Sequence, residues 1–452
     1  MTEPIQLQGK EKLPRAILVG LCLSSGTSDR ETYARSMEEL RLLAQACDLQ
    51  VVDRFIQYAS SVTHRSFIGS GKVSEIRSAI LMADADIVVF NETLSPLQIR
   101  NLEQEWDTEV LDKTGIILQI FSERAGTREA RLQVESARLK YILPRLAGMH
   151  QELGRQGGGS GRLSNKGAGE EKLELDRRRI ERRITEADRE LEQIRIQRKT
   201  QREKRLSSGL PRISLVGYTN AGKSTILNRL LDLSENSGCG SPTPETVSKK
   251  VLEKDMLFAT LDTSVRAISV RGHHPFLLSD TVGFISDLPH TLIKAFHSTL
   301  EEAVYADLLL IVCDCSDPDC EHQLEVTRTT LEEIGAGSLP RLLVYNKADL
   351  QPDYPFPSIQ KAAGDSLSGS RIVLSAASGT GLEELLNCID DLLNEDRQEM
   401  ILLLPYQEGS LLHTLQQRAR ISEPEYLPEG IKVRAVLNKS DAALCSPYRI
   451  PL

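Results

Sequence analysis

The sequence predicts an α/β chain: a doubly wound phosphate-binding domain, preceded by a small α/β domain and a long antiparallel helical hairpin, and followed by a short α/β tail. Three observations carry that expectation. Short apolar runs alternate with helix-spaced segments on both sides of the chain. A glycine-rich loop follows one such run and opens a helix. Between the two α/β stretches lies a densely charged region of helical periodicity.

With 452 residues the chain is too long for one ordinary core. Eight cysteines with no regular pairing pattern predict reduced thiols rather than a disulfide framework. The start, MTEPIQLQGKEKLPR, lacks the apolar centre of a signal peptide, and no run of eighteen apolar residues occurs. A cytoplasmic protein with no membrane partner is therefore expected, working as a monomer. The net charge of −9 hides an asymmetry: residues 123–205 hold 22 Lys and Arg against 14 Asp and Glu, a net of +8, which leaves −17 for the remainder. That basic segment is either a face that meets a polyanion or a solvated helical face laced with ion pairs.

Residues 1–122 form the first expected domain. RAILVGLCL, LQVVDRFIQYA, DIVVFN and GIILQIF are strand-like apolar runs, separated by helix-spaced segments. FIGSGKVSEI places Gly69, Gly71 and Lys72 before a helix, either as a plain turn or as an anion site built from helix-terminal N–H groups.

Residues 123–208 form the hairpin, with helices from Thr127 to about Glu152 and from Glu170 to Arg205. In the second, Leu173, Ile180, Ile184, Ala187, Leu191 and Ile194 keep heptad spacing; in the first, Leu132, Leu139, Ile142, Leu146 and Met149 supply the partner stripe, with Pro144 as an expected kink. Seven glycines fall between residues 154 and 169, and no strand precedes them, so this loop is expected at the exposed tip of the hairpin rather than around a nucleotide.

Residues 209–396 carry the chemistry. ISLVG leads into Gly217-Tyr218-Thr219-Asn220-Ala221-Gly222-Lys223-Ser224-Thr225 and then a helix, the phosphate loop in its required context: backbone N–H groups wrap phosphate, Lys223 reaches the β and γ oxygens, and Ser224 ligates magnesium. After the strand FLLS comes Asp280-Thr281-Val282-Gly283, where Asp280 would hold magnesium through a water and the Gly283 amide would sense a γ-phosphate. Between them, Phe258-Ala259-Thr260-Leu261-Asp262 offers Thr260 as a second magnesium ligand, with Thr263 as its rival. Asn346-Lys347-Ala348-Asp349 follows the strand RLLVY; the Asp349 carboxylate matches the N1–H and N2–H donors of guanine, which adenine lacks. Ser375-Ala376-Ala377 fits the backbone loop that meets guanine O6. Four ordered motifs on strand ends predict a P-loop GTPase domain that binds GTP and GDP.

Phe284 occupies the position where many GTPases place the glutamine that orients the attacking water. Asn220 either helps a potassium ion to supply the missing charge or only braces the loop. Cys313, Cys315 and Cys320 match no standard zinc spacing and read as structural. Residues 397–452 read as a strand, a helix through Leu411 to Arg420, and a strand.

VLDKTGIILQIFSERAGTREARLQVESARLKYILPRL, KGAGEEKLELDRRR, GYTNAGKST, FATLD, DTVGF and NKAD occur in one chain. In that order the chain resembles the HflX family of ribosome-associated GTPases over nearly its whole length. The resemblance implies GTP hydrolysis, binding to the large ribosomal subunit and its rRNA, and a role in dissociating ribosomes or rescuing stalled ones. In such relatives the hairpin loop enters the region of the peptidyl transferase centre, which would make Arg155, Gly157, Gly158, Gly159, Arg162, Lys166, Gly167 and Gly169 the RNA contacts. Some relatives are credited with ATP in the N-terminal domain. The loop departs from the family pattern: it lacks the usual proline and threonine, Lys166 replaces an arginine, and Lys113 replaces another in a DRT triplet. Two alternatives accompany this reading: a ribosome-assembly or RNA-modification GTPase, and a nucleotide-gated RNA-remodelling protein with an ATP site at its N-terminal domain.

Overall fold

The structure is a computed structural model. It describes residues 13–23, 27–155, 163–206, 210–236, 258, 264–286, 297–351, 370–394, 398–408, 411–412, 415, 419–422, 424–437, 442 and 444–450. The described chain divides into two compact units, one ending at Ile194 and the other beginning at Arg195.

In the first unit β1 (Arg15–Cys22), β2 (Gln50–Tyr58), β3 (Ile87–Phe90) and β4 (Glu109–Asp112) form a parallel sheet in the order β2-β1-β3-β4. Residues 16–22 of β1 and all of β3 are buried, the continuous apolar pattern of strands covered on both faces. Helices α1 (Thr27–Ala46), α2 (Ser70–Ala83) and α3 (Pro96–Trp106) supply that cover. The start of α3 is set by its sequence: Ser95 and Gln98 form a reciprocal capping box, and Pro96 stands where a helix has no N–H to lose.

GIILQIF, expected as a strand, lies instead in helix α4 (Lys113–Arg124). The cause is local. Asp112 ends β4 and accepts from Gly115 N at 2.9 Å, capping a helix whose residues 113–118 are all buried; an apolar run buried on every side has no period that separates strand from helix.

The two long helices are α5 (Arg128–Arg155), with Pro144 inside it, and α6 (Leu163–Leu206). They run antiparallel in the first unit. Arg183 grips Glu135 with two bonds of 2.6 and 2.8 Å, Lys140 reaches Asp188 at 3.0 Å, and Arg128 reaches Glu190 at 2.8 Å. Exposed pairs of this kind contribute about 0–1 kcal/mol each. The apolar positions matter more: Ala187 of α6 is fully buried, and Leu132, Val134 and Ala137 of α5 are buried as well. The expected glycine-rich loop over 154–169 is shorter than the sequence suggested, because α6 begins at Leu163 and its backbone runs through Lys166, Gly167 and Gly169. Helical propensity of the following charged run outweighs two glycines, each costing about 1 kcal/mol.

In the second unit β5 (Arg212–Gly217), β6 (Ser264–Ile268), β7 (Phe276–Asp280), β8 (Leu308–Asp314), β9 (Arg341–Asn346) and β10 (Arg371–Val373) form a sheet ordered β10-β9-β8-β5-β7-β6. Only β6 is antiparallel. Helices α7 (Lys223–Asn236), α8 (His297–Val304), α9 (Cys320–Glu333) and α10 (Leu382–Asn394) flank it. The strand order reverses between β5 and β8, and the crevice beyond the carboxyl ends of these strands is where such sheets bind ligands. A separate core follows: β11 (Gln398–Leu404), β12 (Arg420–Ile421), β13 (Glu425–Leu427), β14 (Gly430–Leu437) and β15 (Arg449–Ile450) make an antiparallel sheet.

The turn between β6 and β7 is pinned to α10 by His273. Its Nδ1 lies 2.7 Å from Asp390 and its Nε2 3.2 Å from Glu383, while His274 N donates to the other Asp390 oxygen at 2.9 Å. The hydrogen bond to Asp390 raises the His273 pKa above its ordinary value, against the opposing effect of burial. A raised pKa makes this contribution complete below about pH 6.5 and removes it as pH climbs through the folded value. The gap in melting temperature between the native chain and His273→Gln should therefore be widest at pH 6 and shrink by a few degrees at pH 9, at about 2–4 °C per kcal/mol; thermal melts at the two pH values check it.

Candidate functional site

β5 ends in the phosphate loop, and the backbone there explains its glycines. Gly217 has φ +146°, and a Cβ on it would stand 2.1 Å from Val312 O of β8. Gly222 has φ +91°, and a Cβ on it would meet Asn346 Nδ2 at 2.2 Å. Between them Asn220 takes the left-handed φ of 61°, a conformation asparagine tolerates better than most residues. Ala221 is buried, Thr219 is buried with no partner for its Oγ1 among the described residues, and Thr225 continues the first turn of α7.

Lys223 is folded over this loop. Its Nζ donates to Gly217 O at 3.1 Å and to Tyr218 O at 2.7 Å, and burial lowers its pKa to about 8, with Asp280 pulling the other way. Ser224 Oγ donates to Asp280 Oδ2 at 2.7 Å, and Asp280 is fully buried at the end of β7. A serine hydroxyl beside a buried carboxylate at the start of a helix is a hard-oxygen donor set that fits magnesium.

The phosphate loop and the segment after Asp280 are zipped together. Thr219 N donates to Phe284 O at 2.8 Å and Phe284 N to Gly217 O at 3.1 Å, so Tyr218 and Phe284 form a parallel bridge. Tyr218 Oη bonds Ser286 Oγ and accepts from Ser286 N, both at 2.8 Å. Thr281 Oγ1 donates to Leu215 O at 2.7 Å, and Val282 is buried. Gly283 packs so closely that a Cβ would lie 2.7 Å from Thr219 Cα. The Phe284 side chain is 2% exposed. Phe258 is buried with φ 56°; Ala259, Thr260, Leu261, Asp262 and the rival Thr263 lie outside the described residues.

Asn346, at the end of β9, joins three motifs. Its Nδ2 donates to Ala221 O at 2.9 Å in the phosphate loop, and its Oδ1 accepts from Ala376 N at 3.0 Å. Lys347 has φ 64°, and its Nζ reaches Asp314 at 2.8 Å. Ala348 is buried against Cys315 and Val373. Asp349 accepts from Ser375 Oγ at 2.5 Å. Arg229 of α7 donates to the carbonyls of Ala376 and Ala377.

Sequence reasoning missed Ser286, Asp314 and Arg229. Asp314 had a signal, an acid at the carboxyl end of β8 beside the NKAD strand. Arg229 and Ser286 had none, because only the fold brings them to their partners.

Of the remaining candidates, Gly69 precedes α2 and its N–H is already bonded to Gln57 Oε1 at 3.0 Å. Lys72 pairs with Glu75 of its own helix at 2.7 Å and stands over the Phe55 ring. These two contacts are those of a turn and helix start. Arg155 closes the backbone of α5, whereas Gly157, Gly158, Gly159 and Arg162 lie outside the described residues. Cys313 and Cys315 are buried, with Cys313 Sγ donating to Val344 O at 3.6 Å. Among the described residues no helix is long and apolar enough to cross a membrane.

Comparison with known proteins gives the family. Residues 34–122 match the family model described as GTP-binding GTPase N-terminal, residues 124–205 the GTP-binding GTPase Middle Region, and residues 212–347 the 50S ribosome-binding GTPase. A GTPase HflX of Lacrimispora saccharolytica is 39% identical, with 96% of each chain covered. The chain belongs to the HflX family of GTPases. Another member of the family, GTPase HflX of Escherichia coli, is 37% identical over 89% of each chain. A GTP-binding protein from Sulfolobus solfataricus in complex with GDP is 25% identical, with a TM-score of 0.42, covering 84% of this chain and 98% of its own. As a member of the HflX family the chain is a GTP-binding and GTP-hydrolysing protein.

The buried lysine makes a prediction. Were Lys223 to meet phosphate as its ammonium form, GTP binding would take up a proton wherever the free lysine, with its pKa of about 8, is neutral. GTP affinity should fall about five- to sixfold between pH 8 and pH 9 and change little between pH 6.5 and 7.5; calorimetric titrations across that range measure it.

Proposed function

We propose that the chain is a ribosome-controlled GTPase that binds the large ribosomal subunit and acts in the dissociation of ribosomes or the rescue of stalled ones. The observation that carries this reading is Phe284. Its side chain is buried and its backbone N–H and C=O are both spent on the phosphate loop, so the residue cannot orient a water molecule. Hydrolysis needs a water to attack the γ-phosphorus while the bond to the β-phosphate oxygen breaks, and this chain leaves part of that task to a partner.

In this reading the N–H groups of residues 217–225 and the Lys223 ammonium hold the phosphates, and Asp349 and Asn346 with residues 375–377 hold guanine. Ser224 and Thr260 would hold magnesium, with Asp280 beside Ser224 as the supporting carboxylate, and the ion would supply neutralisation of phosphate charge. The Gly283 N–H reports the γ-phosphate to the segment that follows, on a backbone packed so closely against Thr219 that no Cβ fits. Asn220, held in its left-handed turn, contributes to a potassium site that offsets transition-state charge. The hairpin tip meets rRNA through Arg155, Gly157, Gly158, Gly159, Arg162, Lys166, Gly167 and Gly169. This work takes place in the cytoplasm on a monomer.

GTP turnover in potassium and in sodium buffer, each with and without large ribosomal subunits, tests the reading. Subunits should raise turnover at least tenfold, and potassium should raise it further. Unchanged turnover with GTP still bound would remove the ribosome from the proposal. Replacing Arg155, Arg162 and Lys166 by alanine should weaken co-sedimentation with the subunit, with a shallower salt dependence, while leaving GTP affinity within about twofold.

A further inference from the structure

Arg229 sits in α7, the helix that begins at the phosphate loop, and belongs to none of the sequence motifs. Its Nε donates to Ala376 O at 3.1 Å and its Nη2 to Ala377 O at 2.7 Å. One planar fork therefore holds two successive carbonyls.

The consequence follows from peptide planarity. In a trans peptide the C=O and the next N–H point in opposite directions. Fixing the Ala376 carbonyl on Arg229 turns the Ala377 N–H away from α7. Fixing the Ala377 carbonyl does the same for the Ser378 N–H, which is taken up by Ser375 Oγ at 3.2 Å. The inner side of the same loop is held by Asn346 Oδ1 on Ala376 N at 3.0 Å and by Asp349 on Ser375 Oγ at 2.5 Å. Arg229 is the outer clamp.

We propose that Arg229 is a specificity-positioning residue, which orients the 376–377 backbone so that the Ala377 N–H meets the O6 of a guanine nucleotide while the Ala376 N–H stays on Asn346. The proposal rests on residues 375–377 being the base-facing loop. It also gives α7 a second task, since the helix that starts at the phosphates holds the loop that reads the base.

The test compares three ligands by displacement of a fluorescent GDP analogue. GDP has the full guanine edge. In 6-thio-GDP a weakly accepting sulfur replaces O6 while N1–H and N2–H remain. IDP keeps O6 but lacks the 2-amino group that faces Asp349. In Arg229→Ala the preference for GDP over 6-thio-GDP should fall about 3- to 10-fold, the scale of one neutral hydrogen bond. The preference for GDP over IDP should stay within twofold. Arg229→Lys keeps the charge but cannot span two carbonyls, and should behave in the same direction.

If both preferences fall together, or neither falls, in the two variants, Arg229 is only a structural link and the inference is overturned. A native chain with no preference for GDP over 6-thio-GDP would instead overturn the assignment of the 375–377 loop itself.

Discussion

The site depends on a backbone zipper between two loops that are 65 residues apart along the chain. The Thr219–Phe284 and Phe284–Gly217 hydrogen bonds extend the parallel pairing of β5 and β7 beyond the ends of both strands. Each such bond contributes about 0.5–1.5 kcal/mol net. Together with the Tyr218–Ser286 contacts they form a linkage of a few kcal/mol, the same scale as a typical coupling energy between two sites. The fit is tight as well as bonded, because no Cβ can stand on Gly283 without meeting Thr219. A change in the phosphate loop therefore cannot leave the 280–286 segment untouched.

The loops after β9 and β10 are stitched to the phosphate loop in the same manner by one side chain. Asn346 uses its donor on the phosphate loop and its acceptor on the loop after β10, so three motifs that are 125 and 30 residues apart from it share one amide. Gly222 is a glycine because the Asn346 amide occupies the space where its Cβ would be. The order of motifs that the sequence displays is thus the visible part of a contact network. Replacing either partner would strand a buried polar group, at about 1–3 kcal/mol.

Much of this was legible in the sequence for identifiable reasons. Strands β5, β7 and β9 are apolar runs ended by Gly217, Asp280 and Asn346, and a run that ends in a motif residue is easy to read. GIILQIF was misread because a helix buried all round has no amphipathic period. The edge strand β6, SVRAI, gave no signal, since it is half exposed and flanked by polar residues. Arg229 and Ser286 were invisible for a different reason. Their roles come from groups on other elements, and a single arginine in a helix is indistinguishable from a solvated one until the fold places two carbonyls against it.

The first unit applies the same economy to its hairpin. The ion pairs along α5 and α6 are mostly exposed and stabilise little, so the root of α5 must be held by something stronger. Asp112 supplies it: buried at the end of β4, it accepts from Gly115 N and Leu94 N, from the Tyr141 hydroxyl of α5, and faces Arg145, which stacks on the Tyr141 ring at 3.7 Å. Burial raises the Asp112 pKa, and the Gly115 N–H, the Arg145 charge and the Leu94 N–H oppose that rise. The neighbouring Lys113, at the position where the family resemblance implies an arginine, is buried and pairs with the partly buried Glu39 of α1 at 3.1 Å. Lysine and arginine are not interchangeable in such a setting, since a point charge needs one carboxylate where a fork would need two acceptors. The substitution is therefore matched to its partner, and sheet, α1, α4 and α5 meet at two adjacent residues, Asp112 and Lys113.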